Sequence, residues 1–138
     1  MTEIKTNCSA TVMPVSARGR IGFLRRKSDD TFGGLLVAPG GKVELSDGIT
    51  IEGVPYYSVE AAVVRELEEE VGIRIGRNDL HYFCSLTLPH NGRIVLSFYV
   101  LLKDESEKLE WLTHNEILNR EDFAPGMKDE ALMLLKIL

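Results

Sequence analysis

Two cysteines, Cys8 and Cys84, are all the sequence contains. A pair so far apart makes neither a disulfide scaffold nor a metal-binding spacing. No apolar run approaches the roughly 18 residues that a membrane span needs. The segment from Met1 to Asn7 is polar and lacks the apolar stretch of a secretion signal. Positive charge is also in deficit, with 16 Lys+Arg against 21 Asp+Glu and a formal net charge of -5. Such a chain has no long-range pull toward nucleic acid or anionic lipid. No membrane partner and no stable nucleic-acid partner is therefore expected, and a polyanionic ligand would need a local basic patch or a metal. Repeats, linkers and low-complexity stretches are missing as well. With 138 residues, 44% hydrophobic and 27% charged, the composition is globular. The expectation is one cytoplasmic domain, residues 1–138.

What is present alternates between strand and helix signals. Cys8 to Val15 and Ile21 to Arg25 read as strands joined by an Arg18-Gly19-Arg20 turn. Ser28 to Gly34 reads as loop, and the apolar run Leu35 to Ala38 stops at Pro39-Gly40-Gly41. From Ser58 to Val71 the period becomes helical, with Val59, Val63, Leu67 and Val71 as an apolar stripe. Ser58 suits the N-cap and Gly72 the position after the last turn. A second hairpin joins His81–Leu88 to Arg93–Leu102 through Pro89-His90-Asn91-Gly92. Thr113 and Glu116 have capping-box spacing for a short helix. Met127, Ala131, Leu132, Leu134, Leu135, Ile137 and Leu138 predict a closing helix with a wide buried face. The class is mixed α/β or α+β, with helices packed on a sheet.

The chemistry concentrates in Arg65-Glu66-Leu67-Glu68-Glu69-Glu70-Val71-Gly72-Ile73. At about 100° per residue, Glu66, Glu69 and Glu70 share an arc of roughly 100° on a helix. Three carboxylates on one face repel unless something cationic sits among them, and Mg²⁺ takes such hard oxygen ligands. Arg65, four residues before Glu69, can orient the cluster. Pro39-Gly40-Gly41 precedes the helix, and glycines let a backbone approach a ligand or metal closely.

These residues together resemble the Nudix hydrolase family in its small MutT-type form. The family motif runs from a glycine through a glutamate to Arg-Glu-U-x-Glu-Glu-x-Gly-U, where U is bulky and aliphatic. Arg65 to Ile73 match its second half completely, and Pro39-Gly40-Gly41 match its start. The early hairpin with Arg25-Arg26, the Pro89 turn, Glu110-Trp111 and the closing helix also have counterparts. The resemblance implies an α/β/α sandwich with a mixed central sheet. It implies a metal-assisted attack of water on a nucleoside diphosphate linked to a group X, with Mg²⁺ or Mn²⁺ as cofactor. Glu69 and Glu70 match the principal metal ligands, and Glu66 matches a residue that binds metal or activates water. Arg65 matches the arginine that orients these acids, and the carbonyl of Gly40 or Gly41 matches a metal contact. Glu105, with Glu107 as alternative, matches a further glutamate. Arg26, and less closely Arg25, match a phosphate-contacting arginine.

The middle of the motif departs from the family. Gly41 to Arg65 is 24 steps, ten more than the pattern allows. Asp47 stands where the motif glutamate falls counting forward from Gly41, and Glu52 is the other acid in reach. Ile49-Thr50-Ile51 hints at a small added strand in the insertion Gly48 to Tyr57. Its apolar residues are expected to cover the active-site mouth or a neighbouring subunit, which leaves a homodimer open. The MutT-like layout implies a nucleoside triphosphate cleaved to monophosphate and pyrophosphate. ADP-ribose, a nucleotide sugar or a dinucleoside polyphosphate is the alternative, and a non-catalytic nucleotide-binding module is a third. Met127 stands where MutT-type enzymes read the purine edge with an asparagine, and a thioether is a weak acceptor. Trp111 and Phe123 are candidates for a base pocket or the core.

Overall fold

The computed structural model describes residues 7–29, 32–89 and 91–138. His90 and the polar stretch before Asn7 lie outside them. The described chain forms two compact units, one of the residues up to Val12 with Gly40–Phe98 and one of Met13–Pro39 with Tyr99–Leu138. Strands β1 (Cys8–Ser16) and β8 (Ile94–Leu102) each start in the first unit and end in the second.

In the first unit, β4 (Gly40–Lys42) pairs antiparallel with β1, placing Thr11 opposite Gly40 and Ala10 opposite Gly41. β8 neighbours β1, and β7 (His81–Thr87) neighbours β8. The turn between β7 and β8 closes with the Leu88 amide donating to Arg93 O at 2.8 Å. Helix α1 (Val59–Val71) begins where Ser58 Oγ accepts from the Ala61 amide, and ends at Gly72, whose φ of 75° only glycine adopts freely. Its buried stripe is Ala62, Val63, Leu67 and Val71, so burial begins at Ala62 and Val59 is only half-buried. Each large buried aliphatic contributes about 1.5–3 kcal/mol. The helix lies against β4 and the 3-10 turn Leu45–Asp47. That packing sets its acidic edge beside the glycine turn.

The insertion folds as a hairpin of β5 (Gly48–Ile51) and β6 (Val54–Tyr57), a two-stranded sheet of its own. Ile49 faces Tyr56 and Ile51 faces Val54. Directly opposed residues of an antiparallel pair project to the same side, so four apolar side chains share one face. Among the described residues that face is only partly covered: Ile49 is half-buried, and Ile51, Val54 and Tyr56 are each about half exposed. Among the described residues the two strands pair only with each other.

In the second unit, β2 (Ile21–Arg25) pairs antiparallel with β1, β3 (Leu36–Val37) and β9 (Glu110–Leu112). Leu36 also forms a parallel bridge with Phe123. Phe23 meets Phe123 edge-on at 5.2 Å, and both are buried, so Phe123 is core. Trp111 is half-buried, and its indole N–H donates to Ser106 O at 2.9 Å. Helix α2 (His114–Asn119) carries the capping box of Thr113 and Glu116. Helix α3 (Met127–Ile137) buries Met127, Glu130, Ala131 and Leu134. The closing face is narrower than the sequence suggests. Ile137 and Leu138 are more than half exposed. A mixed sheet with three helices makes this an α+β fold. Among the described residues no helix is long and apolar enough to cross a membrane.

Candidate active site

Arg65 organises the acids of the first unit. Its Nε donates to Asp47 Oδ1 at 2.7 Å and its Nη2 to Asp47 Oδ2 at 3.0 Å, a bidentate pair. Its Nη1 donates to Glu66 Oε1 at 3.0 Å and to Glu69 Oε2 at 3.2 Å, and Nη2 also reaches Lys42 O at 3.3 Å. The Asp47 side chain is only 2% exposed. Its Oδ2 also accepts from the Glu44 amide at 2.7 Å. Burial pushes the Asp47 carboxyl up, but the Arg65 and Glu44 hydrogen bonds outweigh it and hold its pKa below the ordinary value. The Arg65 guanidinium is held above its ordinary value, chiefly by the Asp47 hydrogen bond.

Of the two acids left open by the sequence, Asp47 is therefore the one that braces Arg65. Glu52 sits exposed in the hairpin turn with φ 50°. The forward count from Gly41 identified the position. The extra residues lie between Asp47 and the helix. The hairpin closes on itself there, with Gly48 opposite Tyr57 and the Ser58 amide donating to Asp47 O at 3.0 Å. The insertion thus bulges outward without moving Asp47 away from Arg65.

The glycines act by what they lack. A Cβ on Gly41 would stand 2.7 Å from Glu66 Oε1, so this carboxylate rests in space that any side chain would take. The Gly40 amide donates to Glu70 Oε1 at 2.9 Å. That backbone contact had no signal in the sequence. Gly40, Gly41, Arg65, Glu66, Glu69 and Glu70 are thus all in this one unit. The expected ligands Glu66, Glu69 and Glu70 do not converge as one cage, and among the described residues no three His, Cys, Asp or Glu side chains do. The physical reason is mutual repulsion. Each carboxylate turns to its nearest donor, Glu66 and Glu69 to Arg65 and Glu70 to Gly40. As a donor set, three carboxylates beside a glycine turn fit a hard divalent cation.

The other expected residues belong to the second unit. Glu105 accepts from the buried Ser16 Oγ at 2.8 Å and pairs with Arg20 at 3.6 Å. Nothing in the sequence pointed to Ser16. Glu107 is exposed. Arg25, expected at a substrate phosphate, is engaged by acids instead. It donates to both Glu110 oxygens at 2.7 and 2.9 Å, to Asp122 at 3.0 Å and to Gly34 O at 2.8 Å. The Glu110 hydrogen bond, then that of Asp122, holds its guanidinium above the ordinary value. Arg26 is exposed, and among the described residues its side chain makes no hydrogen bond or ion pair. Met127 is buried.

Comparison with known proteins gives a consistent answer. No curated protein matches the sequence. A NUDIX-family hydrolase from Clostridium perfringens shares the fold over 98% of this chain and 99% of its own, with 14% identity and a TM-score of 0.66. The MutT protein from Methanosarcina mazei Go1 covers 88% of this chain and 87% of its own at 22% identity and a TM-score of 0.62. The NUDIX domain of Shewanella oneidensis NrtR, solved with ADP ribose, covers 99% and 89% at 13% identity and a TM-score of 0.72. At these identities the likeness is one of fold. The family model of the NUDIX domain matches residues 6–132, nearly the whole chain, and the chain therefore belongs to the Nudix hydrolase family.

Proposed function

We propose that this chain is a Mg²⁺-dependent hydrolase, with Mn²⁺ as alternative, acting on a nucleoside diphosphate linked to a group X. The observation that carries this reading is the meeting of Glu66 and Glu70 with the Gly40-Gly41 turn, and of Glu66 and Glu69 with Arg65, which the buried Asp47 braces. Glu66, Glu69 and Glu70 would hold the cation. When bound, it supplies neutralising charge for the phosphate oxygens and lowers the pKa of water. Arg65 keeps Glu66 and Glu69 on one edge of α1, and the three carboxylates would turn from their present donors to receive the cation. The Gly40 amide fixes Glu70. The backbone of Gly40 and Gly41 lets a phosphate approach without meeting a Cβ. Glu105, steadied by Ser16 and Arg20, is the reading's further acid, and exposed Arg26 its phosphate contact.

For X, the small MutT-like layout supports a nucleoside triphosphate cleaved to monophosphate and pyrophosphate. Fold likeness to a domain solved with ADP ribose supports a larger X as the second reading. The same reading takes residues 1–138 as one cytoplasmic domain. The test is a metal-dependent phosphate-release assay over triphosphates, ADP-ribose, nucleotide sugars and dinucleoside polyphosphates. Turnover with Mg²⁺ or Mn²⁺ that is lost in Glu70→Gln by about 100-fold or more is expected. Undiminished turnover in excess chelator would overturn the metal-dependent mechanism.

A further inference from the structure

The edge of a sheet is a template for a further strand, and proteins usually blunt it with short strands, proline or charge. Most of the short strands here follow that rule. β3 has two residues, β4 and β9 have three each, and the hairpin strands β5 and β6 have four each, with Pro55 inside β6. β7 does not follow it. It ends the strand order beside β8, with no strand on its other side among the described residues. Its seven residues, His81-Tyr82-Phe83-Cys84-Ser85-Leu86-Thr87, include no proline and no Asp, Glu, Lys or Arg. Tyr82 is 55% exposed and Leu86 41%, although the Tyr82 ring already meets Phe98 edge-on at 5.9 Å.

We propose that β7 pairs antiparallel with β7 of a second copy of this chain, across a two-fold axis at Cys84. Charge is the first reason for a second copy. At a net charge of -5 two copies repel, so they meet most readily where neither presents an acid, and β7 is such a seam. Self-complementarity is the second. A two-fold axis normal to a sheet makes one residue face its own copy, and full overlap of the seven residues makes that residue the middle one, Cys84. Tyr82 then faces the partner's Leu86, and Leu86 faces the partner's Tyr82. Both are aromatic–aliphatic pairs of the kind that stabilises neighbouring strands. The proposal stands apart from the hydrolase reading, because β7 carries none of the acids of that site.

The axis also supplies a reporter. Directly opposed Cα atoms of antiparallel strands lie about 4.5 or 5.5 Å apart, and a disulfide spans about 4.4–6.8 Å. Cys84 is half-buried and outside any disulfide. A seam of seven residues is about 23 Å long. That is at the small end of interfaces, so the dimer is a weak one, with a Kd of about 50 µM.

The experiment is sedimentation velocity on the full chain in reductant, from about 5 to about 500 µM, with a parallel crosslinking series in diamide. Diamide takes up the two protons and two electrons that the thiols release. The expected result is a monomer–dimer equilibrium, and a crosslinked dimer that Cys84→Ser abolishes and Cys8→Ser does not. Leu86→Lys and Tyr82→Glu should each weaken dimerisation and slow the crosslink about tenfold. The double variant sets a carboxylate against an ammonium on each side of the axis and should recover most of the loss. Circular dichroism checks that each variant is folded. Should Tyr82→Glu unfold through its place on Phe98, Leu86→Lys decides alone. A chain that is monomeric throughout overturns the proposal, whatever other strand the edge accepts. A dimer that survives Leu86→Lys overturns it too, and one that is also lost on removing Ile49–Tyr56 would move the contact to the hairpin.

Discussion

Replacing Asp47 by asparagine tests whether the brace on Arg65 holds the site together. The substitution keeps size and shape but removes the charge and one acceptor. Asp47 receives three hydrogen bonds, two from Arg65 at 2.7 and 3.0 Å and one from the Glu44 amide at 2.7 Å. An asparagine oxygen in the Oδ2 place keeps two of them, and the amide nitrogen in the Oδ1 place would point donor to donor at the Arg65 Nε. Removing one partner of a buried ion pair costs about 3–5 kcal/mol. Arg65 itself is 20% exposed and retains Glu66 and Glu69. The lower end therefore applies, about 3 kcal/mol. At roughly 4 °C per kcal/mol for a chain of this size, Tm should fall by about 12 °C.

Urea unfolding followed by circular dichroism measures the loss, with Glu52→Gln as the control on an exposed acid of the same insertion. Glu52→Gln should change stability by less than about 0.5 kcal/mol. A second readout is metal affinity, from Mn²⁺ electron paramagnetic resonance on the folded fraction. With the brace gone, Arg65 is held only by Glu66, Glu69 and the Lys42 carbonyl, and its looser position no longer fixes where the two acids lie, so Mn²⁺ binding should weaken about tenfold. An Asp47→Asn protein as stable as the parent would mean that the Asp47–Arg65 pair is not formed in solution, and the account of the site would fail with it.

Much of this arrangement was legible because local rules and packing agree. The Ser58 and Gly72 caps and the Thr113–Glu116 box follow from capping chemistry and appear as read, and the α1 stripe appears with Ala62 buried in place of Val59. The position of Asp47 was legible only as one of two alternatives, since spacing fixes sequence distance and not which acid the fold turns inward. What could not be read depends on contacts between residues far apart in sequence. The Gly40 amide on Glu70, Ser16 on Glu105, and the pairing of Arg25 with Glu110 and Asp122 have no local pattern. Arg25 shows the limit well. A cationic residue at a strand end reads as a phosphate contact until the fold brings two carboxylates to it.

Gly40→Ala should prevent normal folding or cost several kcal/mol, because a Cβ there would sit 2.2 Å from Ala10 O; thermal unfolding checks it. Gly41→Ala should instead keep most of its stability and lose activity, since the clash falls on the movable end of Glu66 at 2.7 Å; the ratio of kcat loss to Tm loss decides. For pH, the Asp122 carboxyl is held far below its ordinary value, first by Arg120 and then, against burial, by Arg25, and Glu110 is lowered chiefly by Arg25. A carboxylate with a depressed folded pKa stabilises above its unfolded value and loses that stabilisation as pH falls through the folded one. The urea midpoint should therefore stay level from about pH 7 to 5 and fall below about pH 4, with a shallower fall in Asp122→Asn. The last prediction concerns the hairpin. Its strands pair only with each other and three of its apolar side chains are about half exposed. A lone two-stranded sheet adds little stability in water, and loop closure depends only weakly on length. Removing Ile49–Tyr56 while keeping Asp47 and Ser58 should then lower Tm by no more than about 3 °C. It should change KM across the substrate panel or the oligomeric state read by light scattering, because the apolar face of Ile49, Ile51, Val54 and Tyr56 is lost. A large drop in Tm would show that the hairpin belongs to the core, and unchanged kinetics with an unchanged oligomeric state would show that the exposed face has no occupant.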